Sequence, residues 1–544
     1  MSPPSFPAFP PTSGHLIRHA AAQFGDKTFA VLGDERLTYA QAETDSARLA
    51  RGLLAAGVGK GARVGLLAPN SPGWIIGWLA ATRIGAVVAL LNTYAKAREL
   101  GWLLRHADTQ VLFTVDRYLG NDYLDRLEEA VPDLAGQPAD RILVGSHPFL
   151  RTVCTWGEGT RGWAVPVGAL AGRAEEVSPA IFDAAESEVT PADAMVVVYS
   201  SGSTSDPKGA VHSHGAVVRH SHNLWQMRDL LETDVLYTPM PLFWVGGFSW
   251  TLVAAMHAGA SLVFEEAFEP GSTLELIERE RVTQVLGWPH MAKALVDHPS
   301  FAERDLSSVR GGTMAALLPQ AQQVRTEVPK ANSLGMTETL GPHSLDHKDS
   351  VLPAEKVGSF GPAVPGVEHK VIDPVTGEDL PVGETGELCI RGYSLMQGLH
   401  KRERADVFTA DGWYRTGDGG FLDADGHFYF TGRLGDLIKS SGMNITPRDV
   451  ELVIEAMPEV VLAFVAGVPH PDRGEDVAAA VALRPGAVLD EQEIKARVKA
   501  EIASYKVPRH VAVFSDQAEL PWLDSGKVDR RKLTALLVER FAER

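Results

Sequence analysis

Short apolar runs alternate with helically spaced segments through the first part of the chain, and no other feature constrains the fold as strongly. Val64-Gly65-Leu66-Leu67, Ala86-Val87-Val88-Ala89-Leu90 and Val111-Leu112-Phe113-Thr114-Val115 read as strands. Pro72 to Ile84 and Glu99 to Ala107 read as the helices between them, and Arg36 to Val58 places apolar residues at helical spacing before them. Such alternation with short links predicts stacked βα units and mostly parallel sheets. It returns at Asp234 to Tyr237, Leu262 to Phe264 and Val282 to Leu286, the last two flanking a helix over Ser272 to Arg281. Ser146 to Asp193 has no strong period and reads as irregular surface structure. Near the C-terminus, helices at Val450 to Ala456 and Glu491 to Ile502 enclose strands at Val461 to Val468 and Val477 to Leu483. That is a second, smaller α/β unit. A chain of 544 residues exceeds one core and implies two or more domains.

Charge and cysteine content narrow the function. The net charge of −18 argues against a nucleic-acid binder and against docking on anionic membranes through a basic face. An anionic ligand must therefore be held by local donors. Cys154 and Cys389 are the only cysteines, so neither a disulfide framework nor a cysteine zinc site is expected, and a reducing, cytoplasmic compartment is. Met1 to Gly14 is proline-rich, without the basic start and apolar core of a secretory signal. Trp74 to Leu91 comes nearest to a membrane span, but Arg83, Gly77 and Gly85 interrupt it.

The chemistry begins at Tyr199-Ser200-Ser201-Gly202-Ser203-Thr204-Ser205-Asp206-Pro207-Lys208-Gly209, a hydroxyl-rich loop that follows the apolar run Ala194 to Val198. A helix over Ala216 to Leu231 comes next. Glycines let backbone N–H groups crowd around phosphate oxygens, hydroxyls donate further bonds and Lys208 adds positive charge. The same composition also suits an ordinary polar loop, and Pro207 before the lysine excludes a Walker A loop.

The loop resembles the phosphate-binding signature of the adenylate-forming superfamily, which includes acyl-CoA synthetases, and further segments resemble the family's motifs in the family's order. Val309-Arg310-Gly311-Gly312-Thr313 resembles the segment lying along adenine. Ser333-Leu334-Gly335-Met336-Thr337-Glu338 resembles the Tyr-Gly-Met-Thr-Glu motif, implying that Thr337 meets the α-phosphate and Glu338 ligates Mg²⁺. Gly412 to Asp418 resembles the ribose motif, with Asp418 accepting the two hydroxyls, and Arg433 matches the arginine near ribose and phosphate. Gly435 falls at the hinge, Lys439 on the face used in the second conformation, and Lys527 in the C-terminal lysine loop. The catalytic set implied is Lys527, Thr204, Glu338 and Lys439. The nucleotide set adds Ser200, Ser201, Gly202, Ser203 and Lys208. Phe243, Trp244 and Val245 match the aromatic segment of the acyl pocket, and Trp288, Gly311 and Met336 join it. Ser205, Leu334 and Leu523 depart from the pattern, standing where the family usually has glycine, tyrosine and threonine or asparagine.

The resemblance implies an α/β fold: a large N-terminal domain over residues 1–434, of stacked βα subdomains, and a small mobile α+β domain over residues 435–544. It implies that ATP, with Mg²⁺, activates a small-molecule carboxylic acid to an acyl-adenylate, that the small domain then rotates, and that CoA takes the acyl group. The apolar wall points to a hydrophobic or aromatic acid. No nucleic-acid partner or integral membrane segment is expected, and a homodimer stays open. Two other readings stay open as well, an enzyme that loads a separate carrier protein and a nucleotide-binding pseudoenzyme.

Overall fold

The computed structural model describes residues 6–159, 161–200, 207–318, 331–436, 438–440, 443–445, 447–471, 473–502, 506–523 and 527–542. The chain divides into two compact units. The first is built from Met1–Gly202, Asp206–Glu368 and Arg391–Phe408, the second from His369–Ile390 and Thr409–Arg544.

The first unit contains the expected parallel sheets. In the larger one, Ala194–Ser200, Val87–Leu90, Arg63–Leu67, Val111–Val115, Thr152–Trp156 and Ala164–Pro166 lie side by side, each parallel to its neighbour. Val87 to Leu90 is buried throughout, and its side chains alternate between two cores. Val88 and Leu90 enter one with Trp74 and Trp78, while Val87 and Ala89 enter the other with Leu100, Leu104 and Tyr123. A strand covered on both faces reads as a continuous apolar run, which makes it recognisable in the sequence. The helix Pro72–Arg83 starts where Ser71 accepts from the Trp74 N–H and Pro72 occupies the first turn. A second sheet joins Thr28–Leu32, Ser261–Phe264, Val235–Tyr237, Gln284–Val285 and Gly311–Gly312 in parallel, with Glu35–Thr38 antiparallel at its edge.

Two expectations are corrected. Residues 146–193 are not irregular. They supply the two strands at one edge of the larger sheet, Thr152–Trp156 and Ala164–Pro166, and the helix Pro179–Ser187. Their order comes from pairing with Val111–Val115, and the short strands carry Trp and Pro instead of an alternating pattern. Nor does the hydroxyl-rich loop lead straight into a helix. Lys208–Ser213 forms a strand that folds back antiparallel on Ala194–Ser200, and the helix His214–Arg228 follows it.

Val367–Ile372, Gly386–Gly392, Tyr414–Leu422 and Phe428–Arg433, most of whose residues belong to the second unit, form a four-stranded sheet. A five-stranded sheet is centred on the long hairpin of Val460–His470 and Gly474–Leu483, with His510–Phe514 parallel to the latter. The hairpin is buried on both faces. Val465, Val477, Ala479 and Val481 pack with Val450, Ile454, Ile494 and Val498 of two helices, while Ala478, Ala480 and Ala482 pack with Leu533 and Leu537 of the helix Arg530–Ala542. No helix among the described residues is long and apolar enough to cross a membrane.

Candidate active site

The phosphate-loop residues Ser201, Gly202, Ser203 and Thr204 lie outside the described residues. Their flanks do not: Ser200 pairs with Lys208 across the hairpin, and Lys208 is exposed. Four residues beyond Lys208, His212 is fully buried and its Nε2 lies 2.8 Å from the Thr337 carbonyl. A carbonyl only accepts, so the proton sits on Nε2. Burial pulls the His212 pKa down to about 4, so the ring is neutral at pH 7. The strand after the phosphate loop is thereby bonded to the turn that carries Glu338.

That turn is braced elsewhere too. Leu334–Met336 pairs antiparallel with Gly341–Ser344, so closely that a Cβ on Gly335 would stand 2.5 Å from the Gly341 carbonyl carbon. The buried Thr339 hydroxyl donates to the Gly341 carbonyl at 2.8 Å. The Glu338 carbonyl accepts from the Met396 N–H at 2.8 Å. The Glu338 carboxylate remains partly exposed and makes no ion pair among the described residues. No group of three or more His, Cys, Asp or Glu side chains that could hold a metal ion occurs among the described residues. Ser333 is exposed, and Leu334, Met336 and Thr337 are partly so.

Gly311 and Gly312 form a short strand against Gln284 and Val285. Gly312 has φ +118°, and a Cβ there would lie 2.0 Å from the Val285 carbonyl oxygen. The sheet neighbour by itself thus demands glycine at this position. The Thr313 hydroxyl donates to the Gly287 carbonyl at 2.7 Å, closing the end of the same strand pair.

Phe243 is buried, while Trp244 and Val245 are partly exposed on the same core. Tyr94, which no sequence motif singles out, meets Phe243 edge-on at 6.0 Å and Trp244 at 6.1 Å. The chain continues into a π-helical turn, Phe248–Val253, a distortion enriched at functional sites. There the Ser249 hydroxyl lies 2.9 Å from the Val245 carbonyl and 2.6 Å from that of Leu340, tying the aromatic segment to the strand after Glu338. Trp288 packs on a different cluster, with Tyr237, Met291 and Met314.

In the second unit Asp418 is buried, with Oδ1 2.7 Å from Arg433 Nε. Two groups that the sequence did not reveal hold this segment. Glu387, nearly buried beside Arg415, accepts the Gly417 N–H at 3.0 Å. The Thr416 hydroxyl accepts the Asp418 N–H at 3.0 Å and donates to the Leu388 carbonyl at 2.7 Å. Their signal was the Gly-Glu-Leu run itself, an acid inside an otherwise buried strand. Lys439 lies on a strand opposite Asn444, and its side chain is outside the described residues. Gly435 sits in the turn Leu434–Asp436, and a Cβ added there would meet nothing within 4 Å. In this conformation, therefore, no contact demands glycine. Lys527 is exposed, its carbonyl accepting the Leu523 N–H at 2.8 Å, and Trp522 bridges to Val528.

Residues 17–400 match the AMP-binding enzyme family, and residues 449–527 match the AMP-binding enzyme C-terminal domain. The chain is 33% identical over 507 residues to a feruloyl-CoA synthase of Amycolatopsis sp, covering 91% of this chain and 93% of that protein. It is 32% identical over 554 residues to the acyl-CoA ligase SID4 of Ajellomyces capsulatus, covering 96% and 91%. Among solved structures it resembles ATP-bound MatB from Rhodopseudomonas palustris, with TM-score 0.80 and 26% identity over 97% of this chain and 100% of that one. With its motifs in order on the α/β scaffold those relatives share, the chain belongs to the AMP-binding enzyme family, as an acyl-CoA synthetase-like, AMP-forming acid–thiol ligase of the adenylate-forming superfamily.

Proposed function

We propose that the enzyme converts a bulky, largely apolar carboxylic acid to its CoA thioester in two steps. The acid's carboxylate oxygen attacks the α-phosphorus of ATP. The bond to the β-phosphate oxygen breaks, and pyrophosphate leaves. The CoA thiolate then attacks the acyl carbonyl, the bond from that carbon to the bridging anhydride oxygen breaks, and AMP departs with the oxygen that came from the carboxylate. Both reactants of the first step are anionic, so the protein's share is to align them and offset charge. Thr204, Lys208, Thr337 and Lys527 are assigned to the phosphates, and Asp418 and Arg433 to the ribose. Phe243, Trp244 and Val245 form the acyl wall, Gly435 is the hinge, and Lys439 serves the thioester step.

The observation that carries this reading is Glu338: a carboxylate free of protein cations among the described residues, on a turn braced by His212, Met396 and the Gly341 strand. Its hard oxygens fit Mg²⁺, which when bound to Glu338 and phosphate would offset charge on the nucleotide. The aromatic wall, in turn, supports an apolar acid. Both cysteines are buried and unpaired, which supports a reducing, cytoplasmic setting.

The test is pyrophosphate release across a panel of acids, with CoA, with a carrier protein and with neither. Thioester formation on CoA is expected. Transfer to the carrier protein alone would replace CoA in the reading, and no pyrophosphate from any acid would overturn it.

A further inference from the structure

Parallel strands of the two sheets in the first unit end side by side, and an exposed aromatic ring stands there. Val87–Leu90 runs beside Ala194–Ser200 in the same direction, so the chain leaves both at one edge, into the turn at Tyr94 and into the phosphate loop. From the neighbouring strand Arg63–Leu67 it leads to Asn70, whose amide holds the aromatic segment of the other sheet. Asn70 Nδ2 donates to the Met240 carbonyl at 2.9 Å, and Oδ1 accepts the Leu242 N–H at 2.8 Å. From Val111–Val115 it leads to Tyr118, whose hydroxyl donates at 2.8 Å to the Glu266 carbonyl, just beyond Ser261–Phe264. The carboxyl ends of the two sheets are thereby stitched together, and ligands of open α/β sheets bind outside such ends.

Tyr94 is 42% exposed, although its ring meets Phe243 edge-on and lies tilted by 50° against Trp244. Neither contact is a face-to-face stack. The turn beneath the ring is held at several points. The Tyr94 N–H donates to Asn92 Oδ1 at 2.8 Å. The Thr93 carbonyl accepts from the Tyr123 hydroxyl at 2.8 Å and from Arg126 Nη1 at 3.1 Å, and the same nitrogen donates to the Ala95 carbonyl at 3.1 Å. Thr93 and Ala95 are both buried. The fold thus fixes where the ring stands without burying it. A core gains little from a ring left this exposed, whereas a ligand gains from one already held in place. An aromatic ring laid against aromatic rings gains more than the area it buries, and a saturated chain gains only the area.

We infer that Tyr94 is a specificity-determining residue of the acid site, forming with Phe243 and Trp244 an aromatic corner that selects carboxylic acids bearing an aromatic ring over straight-chain acids of equal carbon number. The inference rests on the proposed reading that Phe243 and Trp244 wall that site, and it adds the substrate class.

The experiment measures pyrophosphate release by wild type, Tyr94→Leu, Tyr94→Phe and Trp244→Ala. Benzoic and phenylpropanoic acids are set against heptanoic and nonanoic acids, matched in carbon number, CoA is varied in a second series, and Tm reports the folding of each variant. Wild type should prefer the ring-bearing acids by about threefold to tenfold in kcat/KM. Tyr94→Leu should erase that preference by raising KM for the ring-bearing acids about threefold to tenfold, with little change in kcat or on the straight-chain acids. Tyr94→Phe, which keeps the ring, should retain it. A wild-type preference for the straight-chain acids, or a Tyr94→Leu effect that is absent or equal on both classes, would overturn the inference. A change confined to KM for CoA would also overturn it, moving Tyr94 to the side of the thiol. Trp244→Ala separates the two readings. If it raises KM for the acids while Tyr94→Leu does not, only this inference falls. If it leaves every acid unchanged, the underlying reading falls and this one with it.

Discussion

The turn at Glu338 and the turn at Lys527 carry two of the charges proposed for phosphate chemistry, and they are built in opposite ways. Glu338 stands on backbone held by a buried imidazole, by the Met396 N–H and by a close strand pair. Lys527 stands exposed on a short turn closed by its own carbonyl and the Trp522–Val528 bridge. Asp418 belongs with Glu338: it is buried, and Thr416, Glu387 and Arg433 hold its segment. A carboxylate that must meet a metal or a diol gains from being fixed, because preorganised groups need no rearrangement when the ligand arrives. A lysine that meets charge only as it develops does not require a buried frame, and its long stem supplies the reach.

The largest expected effect breaks the comparison at its exposed end. Lys527→Ala should slow adenylation by about 10²–10³-fold, the scale for one lost transition-state donor. Thioester formation from supplied acyl-adenylate should be nearly unchanged. Single-turnover assays of the two half-reactions check this, and equal losses would remove the division of labour. Because the lysine is exposed, thermal stability should not move.

Glu338→Gln attacks the braced end. The amide is nearly isosteric but a poorer Mg²⁺ ligand, so the Mg²⁺ concentration for half-maximal rate should rise on the order of tenfold or more. Circular dichroism and Tm should match wild type. An unchanged Mg²⁺ dependence would take Glu338 out of the site.

A smaller effect is expected one layer back. His212→Leu removes the donor to the Thr337 carbonyl, a loss of about 1–3 kcal/mol if that oxygen stays unsatisfied. It also removes Nδ1, which is buried without a hydrogen-bond partner among the described residues. KM for MgATP should therefore rise about tenfold while Tm changes little, and His212→Gln, which keeps a donor, should recover part of the affinity. A fall in Tm with unchanged KM would make His212 a core residue only.

The mildest test at neutral pH uses acid. Burial lowers the pKa of His212 and His222 to about 4 and of His214, His220 and His257 to about 3. These imidazoles stay neutral in the folded protein, whereas the unfolded chain takes up protons near its ordinary pKa of about 6.5. The unfolded state binds more protons below that value, so stability falls as pH drops from about 6.5 towards 4, by up to about 1.4 kcal/mol per pH unit per histidine. All five lie in the first unit. Calorimetry across this range should show an acid-sensitive transition belonging to that unit. A Tm independent of pH from about 6.5 to about 4.5 would contradict the buried, neutral assignment.

Much of the architecture was written locally. Val87 to Leu90 announces a doubly covered strand and Ser71-Pro72 announces a helix start, whereas Thr337-Glu338, Asp418 and Lys527 are singled out only by their resemblance to the family's motifs. Such signals live in neighbouring residues, where periodicity and turn chemistry act. What tertiary structure decided lies at longer range. Thr152–Trp156 becomes a strand because Val111–Val115 offers it a ladder, not because its own residues alternate. Lys208–Ser213 becomes a strand because Ala194–Ser200 presents an unpaired edge, which turned an expected loop-to-helix junction into a hairpin. His212 reads as one more polar residue until folding buries it against a carbonyl 125 positions away. Burial removes water from its ring, and that desolvation, which no local pattern records, fixes its charge and its partner.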